Sequence, residues 1–118
     1  MGKLNSEGLE KFYSAADEKE TGMMNDLLSA VIDWHNRRQD VIRKLESGNP
    51  PEAVKEKTYA ALKVMESPAI ACMKSIEYFS SNHGVSVFCG NSNNIADVIA
   101  FADEVTAARG EPGEGLLR

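Results

Sequence analysis

The chain has 118 residues, 42% hydrophobic and 26% charged, with a formal net charge of -5 and a pI near 5.0. That length fits one domain with a modest core. The negative balance argues against a general nucleic-acid binder, which needs a basic footprint, but leaves room for a small anion on a local basic patch. No apolar run approaches the ~20 residues of a membrane span, and Met1-Gly2-Lys3-Leu4-Asn5-Ser6-Glu7 lacks the apolar stretch of a secretory signal, so a cytoplasmic location is expected. Cys72 and Cys89 form no CxxC or His/Cys cluster. Neither a zinc site nor a cofactor is expected, and two buried, reduced thiols are.

In chain order, residues 5–20 predict a lead-in helix. Leu9, Phe12, Tyr13 and Ala16 share one stripe, Asn5 or Ser6 caps it, and Thr21-Gly22 breaks it. Phe12 and Tyr13 read as a lid over the helices of residues 25–81.

Residues 25–81 predict an antiparallel helical hairpin, the centre of the fold. Its first helix starts near Asn25 or Asp26. The positions Leu27, Val31, Trp34, Val41 and Leu45 alternate spacings of four and three, the seam of a helix lying along a partner. Arg38 occupies the one seam position that is not apolar. Asp33–Arg37 and Asp40–Lys44 are acid-before-base pairs four apart; Arg38 and Arg43 lack such a partner and are freer to meet a ligand or a second subunit. Ser47-Gly48-Asn49-Pro50-Pro51 turns the chain, with Gly48 as the left-handed cap. The return helix runs to about Ser80 with Val54, Ala61, Leu62, Met65, Ala69, Cys72, Ile76 and Phe79 on its seam and a kink at Pro68. Small residues such as Ala60, Ala61, Ala69, Ala71 and Ser75 would let another helix approach.

Residues 85–89, Val-Ser-Val-Phe-Cys, predict an extended segment that pairs with a symmetry mate, with the C-terminal tail, or not at all. Residues 94–109 predict a last helix with Ile95, Val98, Ile99, Ala102 and Val105 on its buried stripe, and 110–118 a flexible tail. The fold class expected is therefore mostly α: a hairpin, a short N-terminal helix, one extended segment and a C-terminal helix, in a single domain.

Three features bear on chemistry. His35 stands among charged residues but no nucleophile is placed beside it, so catalysis is not expected. Asp97 with Asp103-Glu104 lacks the ExxE partner of a metal-dependent, all-α nucleotide pyrophosphatase, which stays an alternative. Gly90-Asn91-Ser92-Asn93-Asn94 precedes a helix, whose N–H groups attract phosphate, and Phe88 offers a face for a base. The candidate ligand-binding residues are Arg38, Arg43, Lys74, Phe88, Asn91 and Asn94.

The stretch from Ala61 to Ile76, Ala-Leu-Lys-Val-Met-Glu-Ser-Pro-Ala-Ile-Ala-Cys-Met-Lys-Ser-Ile, resembles the second hairpin helix of the phage anti-CBASS and anti-Thoeris sponges. That helix reads Ala-Leu, two residues, an apolar residue, Glu, then small residues ending in Ile. Ile32-Asp33-Trp34-His35 with Arg37-Arg38 is similar to the start of that hairpin; Pro68 and Lys74 depart from the pattern. The resemblance implies a homo-oligomer in the host cytoplasm that sequesters cyclic nucleotide immune signals without turning them over. The alternative from a different class is a helical module that binds or inhibits another protein.

Overall fold

A single helix of 31 residues spans the molecule. In the computed structural model, which describes residues 2–110, five helices occur in order: α1 (Ser6–Ala15), α2 (Glu18–Gly48), α3 (Glu52–Val64), α4 (Glu66–Ser81) and α5 (Ile95–Gly110). At ~1.5 Å per residue α2 is about 46 Å long, against a long axis of 51 Å for the molecule. The fold is mostly α, and α2 with α3–α4 makes the expected hairpin.

The chain breaks earlier than Thr21-Gly22. Asp17 accepts from the Glu20 N–H at 2.8 Å while the Glu20 carboxylate accepts from the Asp17 N–H at 3.2 Å. This reciprocal cap starts α2 seven residues before Asn25. Gly22 is carried inside the helix in open space. At the other end the left-handed residue is Asn49 (φ 46°, ψ 54°), and Gly48 is the last helical residue; Asn tolerates that conformation through its short polar side chain.

The expected kink is present. Met65 (φ -75°, ψ -5°) separates α3 from α4. Pro68 falls in the first turn of α4, where a backbone N–H has no partner within the helix. The extended segment pairs with the start of its own chain. Leu4 and Phe88 form an antiparallel bridge, with Asn5 N–H donating to Val87 O (2.8 Å) and Cys89 N–H to Lys3 O (2.7 Å). The N-terminal residues, expected only to lead into a helix, supply the bridging partner. Residues 111–118, expected as a tail, lie outside the described residues.

The core lies where α2 packs against both α4 and α5 and α4 packs against α5. Leu9, Phe12, Met24, Leu28, Met73, Ile76, Val98, Phe101 and Val105 are sealed in it. Phe12 is a core residue and not a lid. Packing on two helices rotates the buried stripe of α2 from the expected one: Met24, Leu28, Val31, Ile32 and His35 are buried, whereas Leu27 and Trp34 are half-buried at its edge. In the return helix the stripe is Leu62, Ala69, Met73, Ile76 and Ser80, and Val54, Ala61 and Met65 are exposed.

Candidate functional site

The residues expected to bind an anion do not converge. Phe88 is buried (4% exposed) with its ring edge-on to Phe101 at 5.3 Å, so it has no face for a base. Bridge pairing with Leu4 turns it into the core. Asn91 Oδ1 accepts from Asn93 N–H, and Asn94 Oδ1 caps α5 through the Ala96 N–H. The Asp97 carboxylate already sits at this helix start and accepts from the Asn91 N–H at 2.9 Å. That bond, with Lys3 Nζ 3.5 Å away, holds the Asp97 carboxyl below its usual range although partial desolvation opposes it. A second anion there would meet a resident negative charge.

Arg43 is not free: it pairs with Asp40 at 3.4 Å, as Lys44 does at 3.2 Å. Lys74 is exposed on α4. Arg38 and Arg43 are five residues apart, about 140° around the helix, so they point to different sides. Arg38 alone keeps its promise of an unusual environment. It is half-buried, and its Nε is sequestered without a hydrogen-bond partner.

Other polar groups pin the fold. His35 is 2% exposed, and its Nε2 lies 2.7 Å from Asp103 Oδ1 across the α2–α5 contact. An ionised carboxylate only accepts, which puts the proton on Nε2 and leaves Nδ1 without a partner. Glu104 accepts from the Lys3 and Leu4 N–H groups at 2.8–3.1 Å. Tyr13 donates to Asn25, and burial pushes its hydroxyl up to about 12 while Arg109 draws it back. Cys72 is half-buried, and burial raises its thiol; Cys89 is exposed, contrary to the expectation that both are buried, because it comes after the bridge on the outward side. Both thiols are free. No cluster of metal-binding side chains occurs among the described residues, and no helix among them is long and apolar enough to cross a membrane.

The surface that stands out is apolar. Among the described residues the large exposed hydrophobic side chains are Met23, Val54, Tyr59, Val64, Met65 and Tyr78, all on the α2–α4 hairpin. A groove of about 320 Å³ opens at the kink, lined by Ala30, Asp33, Trp34, Arg37, Met65 and Pro68. Asp33 and Arg37, expected to pair, form no ion pair among the described residues; both stand exposed on its rim. Beyond the groove, α3 packs chiefly on α4, its own continuation. Residues 37–64 bury only two hydrophobic side chains, Leu45 and Leu62, and neither joins the main core. Sequence reasoning missed this face because Val54 and Met65 lie in phase with a seam. The signal was the width of the α2 stripe, with Met23, Leu27, Ala30 and Trp34 running beside Met24, Leu28, Val31 and His35. No protein-family model, curated protein or solved structure matches the chain.

Proposed function

We propose that this protein is a helical protein-interaction module that works through its hairpin without turning over a ligand. One observation carries the reading: every large exposed hydrophobic side chain among the described residues sits on α2, α3, α4 or the Met65 junction between α3 and α4. A 13-residue helix is marginal in water unless its apolar face is covered, and α3 has one buried residue of its own. A partner helix laid along the hairpin would cover Tyr59, Val64 and Met65 and fill the Trp34 groove, with anchors at helical spacing. The test is a photo-crosslinking residue placed at position 59, with and without Val64→Asp and Met65→Asp. A crosslinked protein that disappears in the double variant, while helicity stays intact, supports the reading. Crosslinks that persist in that variant, or no protein adduct at all, contradict it.

A second reading, the cyclic-nucleotide sponge, draws its support from Arg38 and from the resemblance of residues 61–76. A guanidinium with a sequestered, unpartnered Nε costs stability unless a ligand or a second subunit satisfies it. On this reading Arg38→Ala lowers nucleotide affinity by roughly ten- to a hundredfold, the worth of one charge-assisted hydrogen bond. A thermal-shift panel of cyclic nucleotides discriminates the two, because a ligand stabilises what it binds. Shifts across that panel favour the sponge, and none favours the protein module.

A further inference from the structure

Charge is distributed unevenly along the molecule. Residues 37–64, the end of the hairpin that lacks a core of its own, carry seven basic and four acidic side chains, a net of +3. Residues 17–33, the opposite half of α2, carry five acidic and one basic, a net of -4. Of that end α2 itself carries Arg37, Arg38, Arg43 and Lys44 against Asp40 and Glu46, so one helix of about 46 Å has an acidic half and a basic half along the 51 Å axis. On the side of α2 that carries Trp34, Asp26, Asp33, Arg37 and Lys44 are exposed. The kink groove lies near the middle, with Trp34 on its wall and Asp33 and Arg37, which form no ion pair among the described residues, on its rim.

From this polarity we infer that the first partner of the hairpin is a second copy of the same chain, laid antiparallel across a two-fold axis near the Trp34 groove. The inference rests on the reading of the hairpin as an interaction surface and names its occupant. An antiparallel arrangement sets the basic half of each α2 along the acidic half of the other; a parallel one would set like charges side by side. Charge complementarity thus selects both the partner and its direction. The two-fold makes the patch self-complementary, so Asp33 and Arg37, two residues either side of position 35, are each placed to meet the opposite charge on the second copy. Ala30 and the exposed Ala71 keep the approach close, and Met23, Leu27 and Trp34 supply an apolar strip at spacings of four and seven. The same contact covers α3, the one helix that its own chain leaves without a core.

The arrangement makes a charge-swap test possible. One variant, Arg37→Glu with Lys44→Glu, makes the basic half acidic on the face that carries Trp34. The other, Asp26→Lys with Asp33→Lys, makes the acidic half basic. All four side chains are exposed, so both variants should keep the parent's helical circular dichroism. Light scattering of the parent at low salt should report twice the 12.9 kDa of one chain, and added salt should shift it toward the monomer. Each variant alone should be monomeric, and an equimolar mixture should recover the dimer, because both halves of the contact are then complementary again. A monomeric parent overturns the dimer and leaves the crosslinking experiment to judge the hairpin reading. A dimeric parent whose variants remain dimeric alone, or whose mixture stays monomeric, overturns the antiparallel contact. A variant that loses helicity is replaced by the single changes Arg37→Glu and Asp33→Lys, for which the same outcomes decide.

Discussion

The two ends of α2 live in different surroundings. Its N-terminal half is held by α4, α5 and the residues around α1, with Met24, Leu28 and Val31 at 0–1% exposure and polar bonds reaching it from Tyr13, Arg109 and His83. Its C-terminal half shares two buried leucines with α3. The first half is self-sufficient. The second has helix propensity and a good turn, and the α3 helix that follows it exposes Val54, Tyr59 and Val64. The same covalent helix therefore joins a well-packed scaffold to an arm with little core of its own, and substitutions should act differently on each.

The largest effect should come from the scaffold core. Phe101 is fully buried and packs edge-on against Phe88, so Phe101→Ala should destabilise by about 3–5 kcal/mol in denaturant unfolding. Tyr59→Ser on the arm should change the isolated chain by less than about 0.5 kcal/mol. Equal losses at the two positions would erase the contrast between the halves.

Two glycines sharpen it next. Gly8 lies against the Ser86 carbonyl, so that an added Cβ would collide with backbone, whereas Gly22 faces open space inside α2. Alanine in a helix is ordinarily favoured over glycine by about 1 kcal/mol. Gly22→Ala should therefore raise the melting temperature, while Gly8→Ala should lower it through a loss of about 1–3 kcal/mol or more, as overpacking typically costs. The same substitution with opposite signs is expected from calorimetry on the pair.

A smaller effect concerns acid. The folded Asp97 carboxyl is depressed by the Asn91 N–H and by Lys3. Such a group adds stability above its unfolded pKa, and that stability is lost as pH falls through the lower folded value. Asp97→Asn should flatten the fall in melting temperature below about pH 4, where a free Asp titrates. A variant with the parent's acid profile would show that the loop before α5 does not rely on this carboxylate.

Much of the fold is legible in the residues themselves. The hairpin, its short turn, the kink and α5 come from apolar spacing, Pro50-Pro51, Pro68 and Gly110. The start of α2 is misplaced by local reading because Thr21-Gly22 looks like a breaker, while the reciprocal Asp17–Glu20 cap decides the matter. The pairing of residues 3–5 with 87–89 is out of reach, since a bridge between segments over eighty residues apart leaves no local periodicity. The site is less legible. Phe88 reads as an exposed ring in a five-residue segment, and only its tertiary partner shows which way it faces. Arg38 stands out by breaking an apolar seam, and its buried Nε is the physical counterpart of that break. The groove escapes notice because it requires α2 and the kink to be seen together.

On the dimer reading, residues 52–64 are held by a second copy of the chain and not by a core of their own. Hydrogen–deuterium exchange measures this directly, since amide protection reports the local opening free energy. In dilute, high-salt solution the amides of α3 should exchange fast while those of α4, from Glu66 to Ser81, stay protected. At high protein concentration and low salt the α3 amides should gain protection and α4 should change little. Equal protection of α3 and α4 in the dilute sample, unchanged on concentrating it, would show that α3 is held by its own chain.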